Sequence, residues 1–441
     1  MCAISSAARK REQAANPSQG GASPARPRMV RAQAGSGPAA GAQLSCVDLG
    51  DSARLALIIA PTGRGAFCQQ AQEALSALRT VLDQQPEPMT VTVQTVFLKD
   101  IRDQPECERL FAGFFGPELP TTNYVSQPPC CGAALVIETW AIGGKSVRIE
   151  HFGPHALSVA YDGVRWTYCA GVQPAPTVEG VYRQTLDVLE QSRAALARAG
   201  SGFEHVVRTW FYLGGITAPE ADARRYQELN RARTDFYRDI RFRCSSRDAG
   251  AAPGVYPAST GIGMAGRGLT MSCVALDTQR ADVLLLPLEN PRQIPAYAYD
   301  AKYSPQSPKF SRAVALRLGD CVTTWVSGTA SIVNSETIHP EGAEKQTEQT
   351  IDNIEQLIAA GNFTRHGLEG AGAGLRDLAK IRVYLKRPEY LETCKAICER
   401  RFGPVPAVYA VADICRPELL VEIEGVAFSR HCAPTPRSKV D

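Results

Sequence analysis

With 441 residues, 44% hydrophobic and 21% charged, the chain has a globular composition and enough length for two or three cores. A formal charge of +3 points neither to nucleic acid nor to an anionic membrane, and no apolar run reaches membrane-spanning length. Fourteen cysteines are scattered through strand-like and helix-like segments, which reads as reduced thiols in a cytoplasmic protein. No cysteine pair has zinc-ligand spacing and the histidines do not cluster, so no metal or organic cofactor is expected.

Residues 1–45 are rich in Ala, Gly, Ser and Pro, with Glu12 as their single acid, and read as a disordered, mildly basic tail. Three similar blocks follow, at 46–144, 145–278 and 308–430. A Pro- and Tyr-rich connector, 279–307, precedes the third block, and a short tail, 431–441, ends the chain. Each block reads as a strand, an amphipathic helix, a strand, a second helix, a proline turn and a closing strand. The first helices are expected at 68–82, 183–200 and 345–361. In the last of these, Ile351, Ile354, Leu357 and Ile358 share one face. The middle strands align at Phe97, Tyr212 and Tyr384, and the turns carry Pro120, Pro257 and Pro406.

The closing strands are expected at 134–142, 268–276 and 419–428. Aligning Ala141, Ala275 and Ala427 sets Glu424 opposite Ser272 and Glu138, and Glu422 opposite Thr270 and Val136. Glu422 and Glu424 leave the same face of their strand. Glu424 has a counterpart in the first block, which suits a structural role. Glu422 has none. A carboxylate added to one copy of three fits either an active site built on the third block or a buried ion pair.

The repeat unit resembles the Rid-type (YjgF-like) imine deaminases, through VEIEGVAF at 421–428 and the QTxxxxxNI helix of the third block. That resemblance implies an α+β fold of tandem Rid/YjgF-like, chorismate-mutase-like repeats arranged as a pseudo-trimer, either monomeric or weakly self-associating. The arginine that deaminases carry soon after the turn proline is missing. The third block reads Pro406, Ala407, Val408, Tyr409, and the second Pro257, Ala258, Ser259, Thr260.

Residues 150–430 are more similar to the chorismatases. The likeness rests on TWFYLGGI, YQELNRAR, YPASTGIG, the FSRA segment at 310–313, VSGTASI and ADICRPELLVEIEGVA. It implies cleavage of the small dianion chorismate, with pyruvate as one product. That reaction needs a proton on the enolpyruvyl methylene carbon, and so an acid in a pocket dry enough to keep it protonated. By resemblance Glu422 is that acid and Arg233 holds a substrate carboxylate. Tyr226, two helical turns before Arg233, is a further candidate for the cleft, and Arg382, on the middle strand of block three, a weaker one. Ser259–Gly263 reads as a Gly-rich turn, including Thr260, whose backbone either donates to an anion or adopts positive φ. Gly328 and Cys415 match the pair that separates product classes. Glycine and cysteine go with 3-hydroxybenzoate, and alanine at both goes with hydrolysis to a dihydroxycyclohexadiene acid. The resemblance thus implies a 3-hydroxybenzoate-forming enzyme. The alternatives are release of 4-hydroxybenzoate as well, the hydrolytic reaction, and a non-catalytic ligand-binding protein.

Overall fold

Three six-stranded sheets with one shared strand order organise the chain, which a computed structural model describes over residues 28–33, 37, 39–243, 255–300 and 305–432. The first sheet contains β1 (Arg28–Gln33), β2 (Ala42–Asp48), β3 (Ala53–Ile59), β4 (Thr90–Leu98), β5 (Thr121–Val125) and β6 (Leu135–Gly143), in the order β1-β2-β3-β6-β4-β5. Helices α1 (Phe67–Asp83) and α2 (Gln104–Phe115) connect β3 to β4 and β4 to β5.

The second sheet contains β7 (Arg148–His151), β8 (Ala156–Tyr161), β9 (Val164–Val172), β10 (Val206–Gly214), β11 (Ala258–Met264) and β12 (Leu269–Thr278), ordered β7-β8-β9-β12-β10-β11. Its helices are α3 (Val181–Arg198) and α4 (Arg225–Tyr237). The third contains β13 (Leu284–Leu288), β14 (Ala313–Leu318), β15 (Cys321–Ala330), β16 (Leu378–Leu385), β17 (Ala407–Val411) and β18 (Val421–Arg430), ordered β13-β14-β15-β18-β16-β17. Its helices are α5 (Ala343–Ile358), α6 (Ala360–Arg365) and α7 (Leu391–Phe402).

In each sheet the closing strand lies in the middle, antiparallel to both neighbours. The strand after the turn proline runs parallel to the middle strand, because a helix carries the chain back between them. Helices cover one face of each sheet. In the first repeat Leu75, Leu78 and Phe111 pack on Leu55, Leu57 and Ile137, and in the third Ile351, Ile354 and Leu357 pack on Val383 and Ile423.

The opposite faces meet one another. Val47 and Ile142 from the first sheet, Trp166 and Val274 from the second, and Trp325, Val426 and Phe428 from the third form one shared cluster. The Trp166 and Trp325 rings are 5.2 Å apart across it. The three repeats thus bury against each other the surface that separate subunits of a trimer would bury, which is the pseudo-trimeric α+β arrangement that the resemblance implied.

Three expectations are corrected. The segment read as a disordered tail, 1–45, contains β1 and the start of β2; residues 1–27 lie outside the described set. Polar, basic RMVRAQ forms a strand because pairing with β2 supplies its ladder, and Arg31 donates to the Arg376 and Leu378 carbonyls of the third repeat. The connector 279–307 contains β13, with Pro287 inside the strand. β13 is an edge strand, where a missing N–H is tolerated. The single opening strand expected before each first helix is in fact three antiparallel strands. A tight turn through Asp162 and Gly163, both at positive φ, joins β8 to β9.

Candidate active site

On β18, Glu422 and Glu424 both face the shared interior, but their surroundings differ. Glu424 is 4% exposed and accepts hydrogen bonds from the Trp210 indole (2.9 Å), the Arg382 guanidinium (3.0 Å) and the Tyr384 hydroxyl (2.9 Å), and also from Arg208 and Thr260. Burial works against its charge, yet Arg208 and Arg382, helped by the two hydroxyls, hold the carboxyl below the usual range. Its counterpart Glu138 is paired likewise with Lys380 and Arg382.

Glu422, also 4% exposed, has no ion pair or side-chain hydrogen bond among the described residues. Burial, then the charge of Glu424, push its carboxyl up to about 8, against the pull of Arg208 and Arg312. Of the two readings open from the sequence, the buried ion pair therefore describes Glu424 and not Glu422.

Glu422 opens into a cavity of about 1050 Å³ between the second and third repeats. Its walls come from α4 (Tyr226, Asn230, Arg233), β11 (Ser259, Gly261), β15 (Gly328, Ala330), the segment before β14 (Phe310, Arg312) and the loop before β18 (Cys415, Arg416, Glu418). Arg233 is 1% exposed. It donates to Asn230 Oδ1 (2.6 Å) and Ser259 Oγ (3.3 Å), and its Nε has no partner. No carboxylate pairs with it among the described residues. A guanidinium thus reaches the strand that lacks the deaminase arginine, but it comes from a helix.

Gly328 sits where the β15–β18 register shifts, and its N–H donates to Thr260 Oγ1 (2.9 Å). Burial, then Glu422, push the Cys415 thiol up to about 12, so it is a neutral S–H donor and not a thiolate.

Five of the residues expected at the site, Glu422, Cys415, Arg233, Tyr226 and Gly328, line this one cavity. Two do not. Thr260 lies behind it, accepting from Arg208 (2.6 Å) and Gly328 and donating to Glu424. Arg382 points into the shared interior, bonded to Glu138, Glu424, Tyr212 and Thr95. A strand arginine facing two buried carboxylates is held by them and does not reach the cavity. The expected STGIG turn is also corrected: Ser259–Gly263 is strand, paired in parallel with β10. Its glycines make room for neighbours. A Cβ on Gly261 would lie 2.9 Å from the Tyr226 ring, and one on Gly263 2.5 Å from the Asp413 carbonyl.

Sequence reasoning did not single out Arg312, Tyr299, Phe310 or Arg416 as site residues. Arg312 is 3% exposed and bonds the Tyr299 hydroxyl; the Arg312 and Arg416 guanidiniums lie 5.6 and 5.5 Å from the Tyr299 ring centre. A buried arginine at the head of apolar β14 was the available signal.

Comparison with known proteins agrees with this architecture. A family model described as "Chorismatase FkbO/Hyg5-like, N-terminal" matches residues 138–275. A 3-hydroxybenzoate synthase of Streptomyces hygroscopicus is 34% identical over 303 residues, spanning 66% of this chain and 81% of that protein. A chorismatase of Streptomyces rapamycinicus is 34% identical over 285 residues, covering 61% of this chain and 78% of the relative. A crystal structure of a chorismatase shares the fold, with a TM-score of 0.60 and 22% identity over 86% of this chain and 99% of that one. The chain belongs to the chorismatase family.

Proposed function

We propose that the chain cleaves chorismate to pyruvate and 3-hydroxybenzoate in the cavity between its second and third repeats. Its relatives are named for this chemistry. The observation that carries the residue assignment is Glu422, a buried carboxyl without an ion-pair partner among the described residues, opening into a cavity with two buried guanidiniums. Arg224, Arg233, Arg312 and Arg416 line the cavity against Glu418 and a protonated Glu422, four positive charges to one negative, which suits a dianion.

Glu422 gives its proton to the enolpyruvyl methylene carbon. The resulting oxocarbenium ion weakens the bond to the ring oxygen, and Glu424, held ionised nearby, keeps the acid protonated until it acts. Arg233 and Arg312 anchor substrate carboxylates. Aromatisation to 3-hydroxybenzoate takes up no water, since chorismate has the atoms of the two products together. Hydrolysis to the diene acid consumes one. Gly328 and the neutral Cys415 thiol form the wall beside the acid, where this choice is made.

The test is to incubate purified protein with chorismate and identify the products by chromatography and mass. Pyruvate with 3-hydroxybenzoate supports the proposal. Pyruvate with the diene acid would keep the cleavage and overturn the product, and unchanged chorismate would favour a ligand-binding protein.

A further inference from the structure

A second cavity, of about 700 Å³, lies where the three repeats meet, and the reaction described above makes no use of it. Its walls combine aromatic rings with positive charge. Trp140, Tyr168, Trp210 and Trp325 line it; Trp140 and Trp210 are half-buried and mark the side nearest solvent. Arg54, Lys380 and Arg382 face it; Lys380 and Arg382 share the one carboxylate in its wall, Glu138, and Arg382 also pairs with Glu424, which leaves Arg54 as the excess charge. Arg54 is 7% exposed and has no carboxylate partner among the described residues. It is held by the Tyr161 hydroxyl (2.7 Å) and lies 4.9 Å from the Trp166 ring centre.

The polar groups of the wall are also unsatisfied. Both side-chain polar atoms of Asn123, Gln94 Oε1 and Ser272 Oγ have no hydrogen-bond partner among the described residues, although Asn123 and Gln94 are each 1% exposed. Buried amides and hydroxyls left this way are costly, and such groups ordinarily serve something that occupies the space.

We propose that this cavity is a binding site for a small aromatic monocarboxylate. The excess positive charge selects an anion. The flat aromatic walls select a ring, and the amide and hydroxyl groups supply the remaining hydrogen bonds. The cavity is smaller than the catalytic one (700 against 1050 Å³), which suits a benzoate-sized ligand better than a chorismate-sized dianion. The inference does not depend on which product the chain makes.

All four tryptophans of the chain line this cavity or lie beneath Arg54, and none lines the catalytic one, so indole fluorescence reports on it selectively. Benzoate is the probe, with benzyl alcohol as its neutral match. The expected result is a saturable change in emission with benzoate and none with benzyl alcohol. The change should survive in Arg233→Met, which alters the catalytic cavity, and disappear in Ser272→Leu, which fills the second cavity while leaving chorismate turnover at the wild-type rate. Should Ser272→Leu fail to fold by circular dichroism, Asn123→Leu replaces it. The inference is overturned if benzoate gives no saturable change, or if the change is lost in Arg233→Met and kept in the cavity-filling variant.

Discussion

A Cβ on Gly328 would lie 2.0 Å from Oε1 of Glu422 and 3.1 Å from Cγ2 of Thr260. Glycine at this position therefore creates the space that the acid's carboxyl occupies, besides opening the wall toward the substrate ring. Gly328 has no positive φ, so space alone demands the small residue.

Gly328→Ala should accordingly fold as the wild type does and displace the Glu422 carboxyl. We expect kcat for chorismate to fall by about tenfold or more, since misplacing a catalytic group by about an ångström can cost on the order of a hundredfold. The fraction of diene acid among the products should rise, most of all with Cys415→Ala added. Steady-state kinetics with product chromatography checks both. Unchanged kcat and product ratio would mean that the pocket absorbs the methyl group elsewhere.

The pH dependence follows from the Glu422 carboxyl at about 8. An acid catalyst works in its protonated form, so kcat should be flat below this value and fall tenfold per unit above it. Stability should show the same group. The folded-state value is raised above the unfolded one, near 4.5, so the folded protein holds a proton that the unfolded chain releases. Stability is full below about pH 4.5 and is lost progressively up to about pH 8, by at most about 5 kcal/mol for a shift of this size. Glu422→Gln removes that loss. Its melting temperature should exceed that of the wild type at pH 8 and match it at pH 4.5.

Arg233 and Arg312 are buried guanidiniums at the catalytic cavity, and Arg233 has no carboxylate partner among the described residues. Losing a charge-assisted hydrogen bond to substrate costs about 1.5–3 kcal/mol, which corresponds to a KM raised roughly 10- to 100-fold. Arg233→Met should show this rise with a smaller change in kcat. Arg312→Met should do so too, with a small additional increase in the Glu422 carboxyl value, since Arg312 opposes it. Initial-rate measurements over a chorismate series separate the two parameters.

Arg382 behaves in the opposite way. It shares Glu138 with Lys380 and reaches Glu424, so Arg382→Met leaves buried carboxylates short of a partner. We expect a loss of about 3–5 kcal/mol in stability by denaturant titration, with KM for chorismate unchanged in whatever protein remains folded.

Much of this was legible in the chain, for identifiable reasons. Helical spacing marked the first helix of each repeat, and three strands ending alike made Glu422 conspicuous against Thr270 and Val136. Pairwise geometry was not legible. Thr260 and Gly328 lie 68 residues apart in sequence and meet only because β11 of one repeat packs on β15 of the next. Arg312 was missed because its neighbours come from a connector read as irregular, and that connector contains β13 and Tyr299. Arg382 was drawn toward the site by its strand, but its partner Glu138 comes from the first repeat, which no local pattern joins to it. Strand β1 was hidden by its polar composition, which the pairing with β2 outweighs.

The central claim is that the Glu422 proton drives cleavage, and turnover of chorismate by Glu422→Gln at neutral pH tests it most directly. The amide keeps the shape of the side chain and cannot donate the proton, so a correctly folded variant should turn over about 10²- to 10⁴-fold more slowly than the wild type, with KM little changed. A variant that melts like the wild type or better and still cleaves chorismate at the full rate would contradict the account.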